Sequence, residues 1–166
     1  MRFSLLRMAL YAAILPGAAI ASEPQSRLSG TDSGQQITRA GTQATVTGSP
    51  DIFTGDVRVQ PVWPANEQIR ASGGLVTFSA GARSAWHTHP VGQRLVVLEG
   101  VGRTQEWGKP IQEIRAGDVV WCPPGVKHWH GASPDSAMTH LAVTGSLDGK
   151  NVNWMEHVTD AEYHAH

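Results

Sequence analysis

The sequence predicts an all-β fold, one sandwich or barrel of short antiparallel strands. Three observations carry that reading. Strand-like runs rich in Val, Ile, Thr and aromatic residues recur from about Thr42 onward, separated at close intervals by Gly, Pro, Asn, Asp and Ser. Glycine and proline are plentiful, 18 and 10 among 166 residues, which favours turns over long helices. Beyond the N-terminal segment, no stretch sustains the 3.6-residue apolar period of an amphipathic helix. The length suits one domain, and 40% hydrophobic against 16% charged residues supports a packed core. With 13 Lys+Arg against 14 Asp+Glu and no basic run, the composition argues against nucleic-acid binding as the main role. The single cysteine, Cys122, excludes an internal disulfide framework; alternating with Val120, it reads as a small buried hydrophobe.

Taken in order, residues 1–21 read as a secretory signal peptide. Arg2 and Arg7 precede an apolar run from Met8 to Leu15 that is too short to span a bilayer, Pro16 and Gly17 break it, and Ala19-Ile20-Ala21 forms a small-x-small cleavage site. The expected mature protein is therefore periplasmic or secreted, with no membrane partner after cleavage. Residues 22–41, rich in Ser, Gly, Gln and Thr, read as a flexible arm, and 42–166 as the folded domain. Strands are expected at Ala44–Thr47, Val57–Val62, Gly74–Ser79, Ala85–His89, Arg94–Glu99, Arg103–Trp107, Ile111–Arg115, Asp118–Cys122, Lys127–His130, Met138–Thr144 and Asn153–Val158. Thr159 to Glu162 has the form of a capping box, so a helical turn is expected there.

All eight histidines follow position 86. His87 and His89 are two apart, which on a strand puts both on one face, with Thr88 on the other. His128 and His130 repeat the arrangement around Trp129, and His140 shares a face with Met138 and Ala142. On one barrel these five imidazoles converge on one lumen. Buried imidazoles without partners are costly, and three or four of them suit a divalent first-row metal. Trp86 and Trp129, on the opposite faces of the same strands, are expected to pack against another sheet or a second subunit. His157 reads as structural, and His164 and His166 as parts of a frayed terminus.

The glycines and prolines sharpen the pattern. GARSAWHTHPVGQRLVVLEG (Gly81–Gly100) resembles the first motif of the cupins, Gly-x5-His-x-His-x3,4-Glu-x6-Gly, with Gln93 where the family has glutamate. GDVVWCPPGVKH (Gly117–His128) resembles the second, Gly-x5-Pro-x-Gly-x2-His; the Asn that ends that motif is replaced by Ala132. From about Asp51 to Tyr163 the chain is further similar to small bacterial manganese cupins described as hydroxynitrile lyases, in FTGDVRV, GARSAWHTHPVGQ, GDVVWCPPGVKHWHGA, MTHLAV and LDGK-x-V-x-WMEHVTD-x-x-Y. The resemblance implies a jelly-roll barrel, the double-stranded β-helix of cupins. It implies His87, His89, Gln93 and His128 as metal ligands and His140 as catalytic base. It also puts Gly74, Val76 and Thr144 near the substrate, Thr144 at a position expected to hold Gln. A homodimer or homotetramer is implied as well.

Chemically, three imidazoles and an amide are neutral, so a bound cation keeps its full charge and acts as a strong Lewis acid toward an oxygen ligand. The resemblance implies manganese as the single divalent ion, with iron, nickel or zinc as alternatives that the same mixed N/O ligands accept. The reaction the resemblance implies cleaves a small, mandelonitrile-like α-hydroxynitrile to an aldehyde and HCN. His140 takes the hydroxyl proton, and His130 or Lys127 stabilises the departing cyanide. The alternatives are an O2-dependent cupin dioxygenase acting on a small aromatic or alkene substrate, and a non-catalytic cupin that binds a small ligand. Histidines beyond the ligand set speak against mere binding.

Overall fold

The computed structural model describes residues 34–165. The expected signal peptide, most of the arm and His166 lie outside them. Residues 35–39 carry no regular structure and are exposed, and a compact unit begins at Thr38. Its strands are β1 Val46–Thr47, β2 Phe53–Thr54, β3 Val57–Trp63, β4 Ala71–Phe78, β5 Arg83–Ser84, β6 His87–Thr88, β7 Gln93–Glu106, β8 Gln112–Arg115, β9 Val119–Cys122, β10 His128–Ala132, β11 Met138–Gly145 and β12 Asn153–Trp154. One helical turn, α1 (Asp160–Tyr163), closes the described chain, and its Thr159–Glu162 capping box is formed.

The fold is all-β, a sheet curled on itself in the order β1-β3-β4-β11-β7-β10-β5-β2, with β8 and β9 on β7 and β6 joining β10 to β12. Every pairing is antiparallel. The sequence suggests two strands, Arg94–Glu99 and Arg103–Trp107. The structure has one, β7, whose first half pairs with β11 and β9 and whose second half pairs with β10 and β8. The glycines between the halves bend the strand instead of ending it. Gly100 has φ +79°, and a Cβ there would lie 1.9 Å from the Ala137 carbonyl oxygen. Two other expectations change. Ala85–His89 is interrupted between β5 and β6, where Trp86 N–H donates to the Glu156 carbonyl. Asn153–Val158 keeps only two strand residues. The pairing of Phe53–Thr54 with β5 is not foreseen from the sequence.

Two apolar clusters hold the sheet. Val57, Val76, Phe78, Ala82, Val97, Ile114, Ala132 and Met138 fill the interior. Trp86 and Trp129 form the second with Val158 and Tyr163, so the tryptophans are covered by the chain's own C-terminal segment. Burying each such ring contributes about 2–3 kcal/mol. Arg83, itself buried, pins this segment: Nε and Nη2 donate to the Val158 carbonyl, Nη2 reaches Asp160 at 2.6 Å, and the guanidinium lies 4.7 Å from the Tyr163 ring centroid. The Tyr163 hydroxyl donates to the Ala132 carbonyl at 2.7 Å.

Candidate metal centre

The site is set by register. His87 on β6 lies directly opposite His128 on β10, and their ring centroids are 4.3 Å apart. His130, two residues along β10, projects to the same side, 5.2 Å from His87 by centroid. His89 follows β6, with its ring 5.0 Å from His87 and 5.3 Å from His128. Gln93 opens β7 opposite Thr144 on β11. His140 enters from β11, where it faces Val76 and Val97. All five histidines and Gln93 are buried. Thr88 is buried too, beneath Asn153.

The hydrogen bonds fix which ring nitrogens carry protons. A carbonyl oxygen only accepts. The Nδ1 atoms of His87, His89 and His128 face the carbonyls of Ala85, Asn151 and Val126 at 2.9, 2.6 and 2.9 Å, so each must donate. In the neutral rings Nε2 is then a bare lone pair. His89 Nε2, His128 Nε2 and Gln93 Oε1 are buried without hydrogen-bond partners among the described residues, and the Gln93 side chain lies close enough to His89 to act on its ring. Lone pairs left facing one another are repulsive unless something positive lies between them. That donor set fits a divalent cation.

Neutrality follows from burial, which lowers all these pKa values. His87 is held well below the usual imidazole range by burial and then by His128. His128 is pushed down to about 4 by burial, against the pull of its bond to Val126. His89 is lowered by burial despite the Asn151 bond. His130 lies well below by burial and the adjacent His140, and His140 is pushed down to about 4 by burial. Unprotonated imidazoles are what metal ligation and proton acceptance both require.

His87, His128 and His130 each offer a ring nitrogen within 4.8 Å of the others. This trio contains His130, which the sequence reading sets beside the substrate. His130 Nδ1 and His140 Nε2 are hydrogen-bonded at 3.1 Å, and the other nitrogen of His140, Nδ1, is buried without a partner. A cavity of about 550 Å³ opens beside them, lined by His87, His89, Gln93, His130 and His140 together with Gly74, Val76 and Thr144. Lys127 does not line it; its ammonium lies 3.4 Å from the Trp107 ring centroid and pairs with Glu156. His157 contacts Thr54 and His164 the Tyr163 ring, both away from the centre.

Sequence reasoning misses part of the cavity wall. Trp63 folds back over Gly73 and donates from Nε1 to the Ala71 carbonyl at 3.0 Å. Phe53 and Trp154 line the same cavity, and Trp154 lies 4.7 Å from His87 by ring centroid. The Gly73-Gly74 pair was the available signal for Trp63, since a side chain at 73 would collide with that indole.

A sequence model of the cupin domain matches residues 74–144, the span from β4 to β11 that carries every histidine of the centre. The chain is 55% identical over 128 residues to an (R)-mandelonitrile lyase of Granulicella tundricola, across 77% of this chain and 98% of the relative. The chain belongs to the cupin family. Solved cupins agree. A cupin-like protein of Thermotoga maritima superposes with a TM-score of 0.67 at 38% identity, over 78% of this chain and 95% of its own. A cupin 2 conserved barrel domain protein of Rhodopseudomonas palustris, 19% identical, shares the fold at a TM-score of 0.58 over 68% of this chain and 77% of its own.

Proposed function

We propose that this cupin is a metal-dependent lyase that cleaves a small α-hydroxynitrile of the mandelonitrile type to an aldehyde and hydrogen cyanide. The observation that carries the reading is the His130–His140 pair. A histidine with an unpartnered nitrogen stands in an aromatic-lined cavity beside a set of neutral metal donors. The 55% identity to a lyase of that name supports the reaction class.

Proton bookkeeping selects the ligands. If His130 gave its Nε2 lone pair to a cation, its proton would sit on Nδ1 and point at His140 Nε2. His140 would then carry its own proton on Nδ1, where no base would remain. If His140 donates from Nε2 to His130 Nδ1 instead, His140 Nδ1 is free to accept a proton, and His130 Nε2–H becomes a donor. This second state fits the lyase. The ligands are then His87, His89, Gln93 and His128, and manganese is the ion we favour. When bound, the ion supplies Lewis acidity that lowers the pKa of a substrate hydroxyl.

His140 Nδ1 takes the hydroxyl proton as the C–C bond to the nitrile carbon breaks. The electron pair leaves with cyanide, the oxygen becomes the aldehyde carbonyl, and the proton on His140 passes to cyanide to give HCN. His130 Nε2–H donates toward the departing anion. Gly74 and Val76 shape the wall next to the reacting carbon, with Phe53, Trp63 and Trp154 around an aryl group. Replacing His140 with Ala is expected to lower kcat by at least about a hundredfold while metal content stays at the wild-type level. Mandelonitrile cleavage, followed as benzaldehyde release, should proceed equally with and without O2. A requirement for O2, or full activity in His140→Ala, overturns the reading. The reading also takes the chain as exported and dimeric or tetrameric, which fractionation and light scattering would test.

A further inference from the structure

Thr144 lines the cavity, but its hydroxyl is already engaged. Gln93 Nε2 donates to Thr144 Oγ1 at 3.0 Å. The two residues are direct partners across β7 and β11, so their side chains share a face, and both are buried. The other amide atom, Gln93 Oε1, is buried and unpartnered. An amide can occupy its site in two orientations that differ by exchange of O and N. Here the second orientation would turn NH2 toward the bare Nε2 of His89, where it could donate, but would present hydrogens to any cation.

We propose that Thr144 is a positioning residue for the metal centre: by accepting the amide proton it holds the Gln93 carbonyl oxygen toward the histidines. This deepens the ligand set given above and rests on it. Without the hydroxyl, the Gln93 NH2 is left buried and unpaired in the metal-bound state. In the metal-free state it can turn to His89. Metal entry must then break that bond and strand the NH2, so affinity falls.

The test uses the full chain with Thr144→Val, which keeps the shape, and Thr144→Ser, which keeps the hydroxyl. Mn²⁺ affinity is read by competition with a chelator, and coordination by the visible spectrum of the Co²⁺-loaded protein. Thr144→Val is expected to lose about tenfold in Mn²⁺ affinity and to change the Co²⁺ spectrum, with KM unchanged at saturating metal; Thr144→Ser is expected to stay near wild type on all counts. Wild-type affinity in Thr144→Val, or a raised KM at full metal occupancy with affinity intact, overturns the positioning role and makes Thr144 a substrate contact or a neutral one. An equal loss in Thr144→Ser also overturns it, because the hydroxyl is then not the cause. A wild-type chain that takes up no divalent ion overturns the ligand reading and this inference together.

Discussion

At the scale of single residues, the site is governed by where protons sit on five imidazoles. Three of the rings are fixed by main-chain carbonyls, and two by each other. This gives a sharp pair of outcomes. His89→Ala is expected to lose more than about a hundredfold in metal affinity, beyond the cost of losing an outer hydrogen-bond partner. His130→Ala is expected to retain metal, measured by elemental analysis after gel filtration, while losing turnover. The reverse result would make His130 the ligand and remove His140 as base. The meeting of the histidines was legible in the sequence, because each His-x-His spacing sets two rings on one side of an extended chain, although β6 ends at Thr88 and His89 follows it. The Gly and Pro positions fix the turns around them. The His130–His140 contact was not legible. It depends on the register of β11 against β7, which shifts between Thr139 and His140, and no local pattern encodes such a shift.

At the scale of elements, β7 does the organising. One strand of 14 residues serves both halves of the curled sheet, so Gln93 at its start and the partners of β10 at its end are rigidly related. The bend at Gly100 makes this work. Gly100→Ala meets both a positive φ and the Ala137 carbonyl, and is expected to destabilise by at least about 2 kcal/mol in chemical denaturation. The sequence reads the same glycine as a strand break, since glycine marks turns and bends alike. Gly73→Ala is a milder probe. Its methyl group would displace Trp63 from the cavity wall, and the expected outcome is a raised KM for an aryl substrate with little change in metal content. The return of Trp63 onto β4 joins residues ten apart across a hairpin, beyond the reach of periodicity.

At the scale of the whole molecule, the C-terminal segment completes the fold. Val158 and Tyr163 cover Trp86 and Trp129, and Arg83 ties the segment down. Tyr163→Ala removes a buried ring, its hydrogen bond to Ala132 and the face beneath Arg83; a loss of about 3–5 kcal/mol is expected by thermal or denaturant unfolding. The sequence foresaw that these tryptophans face away from the histidines, but offered a second sheet or subunit as cover. A capping box signals a helix, not what the helix will sit on.

The stretch just before that segment braces the centre itself. The carbonyl that holds His89 belongs to Asn151, and the ring beside His87 is Trp154. Every proposed ligand lies at or before residue 128, whereas these braces come more than twenty residues later in the chain. A chain cut before Asn151 would have the proposed ligands in its sequence and lack both braces, and is expected to be a poor chelator.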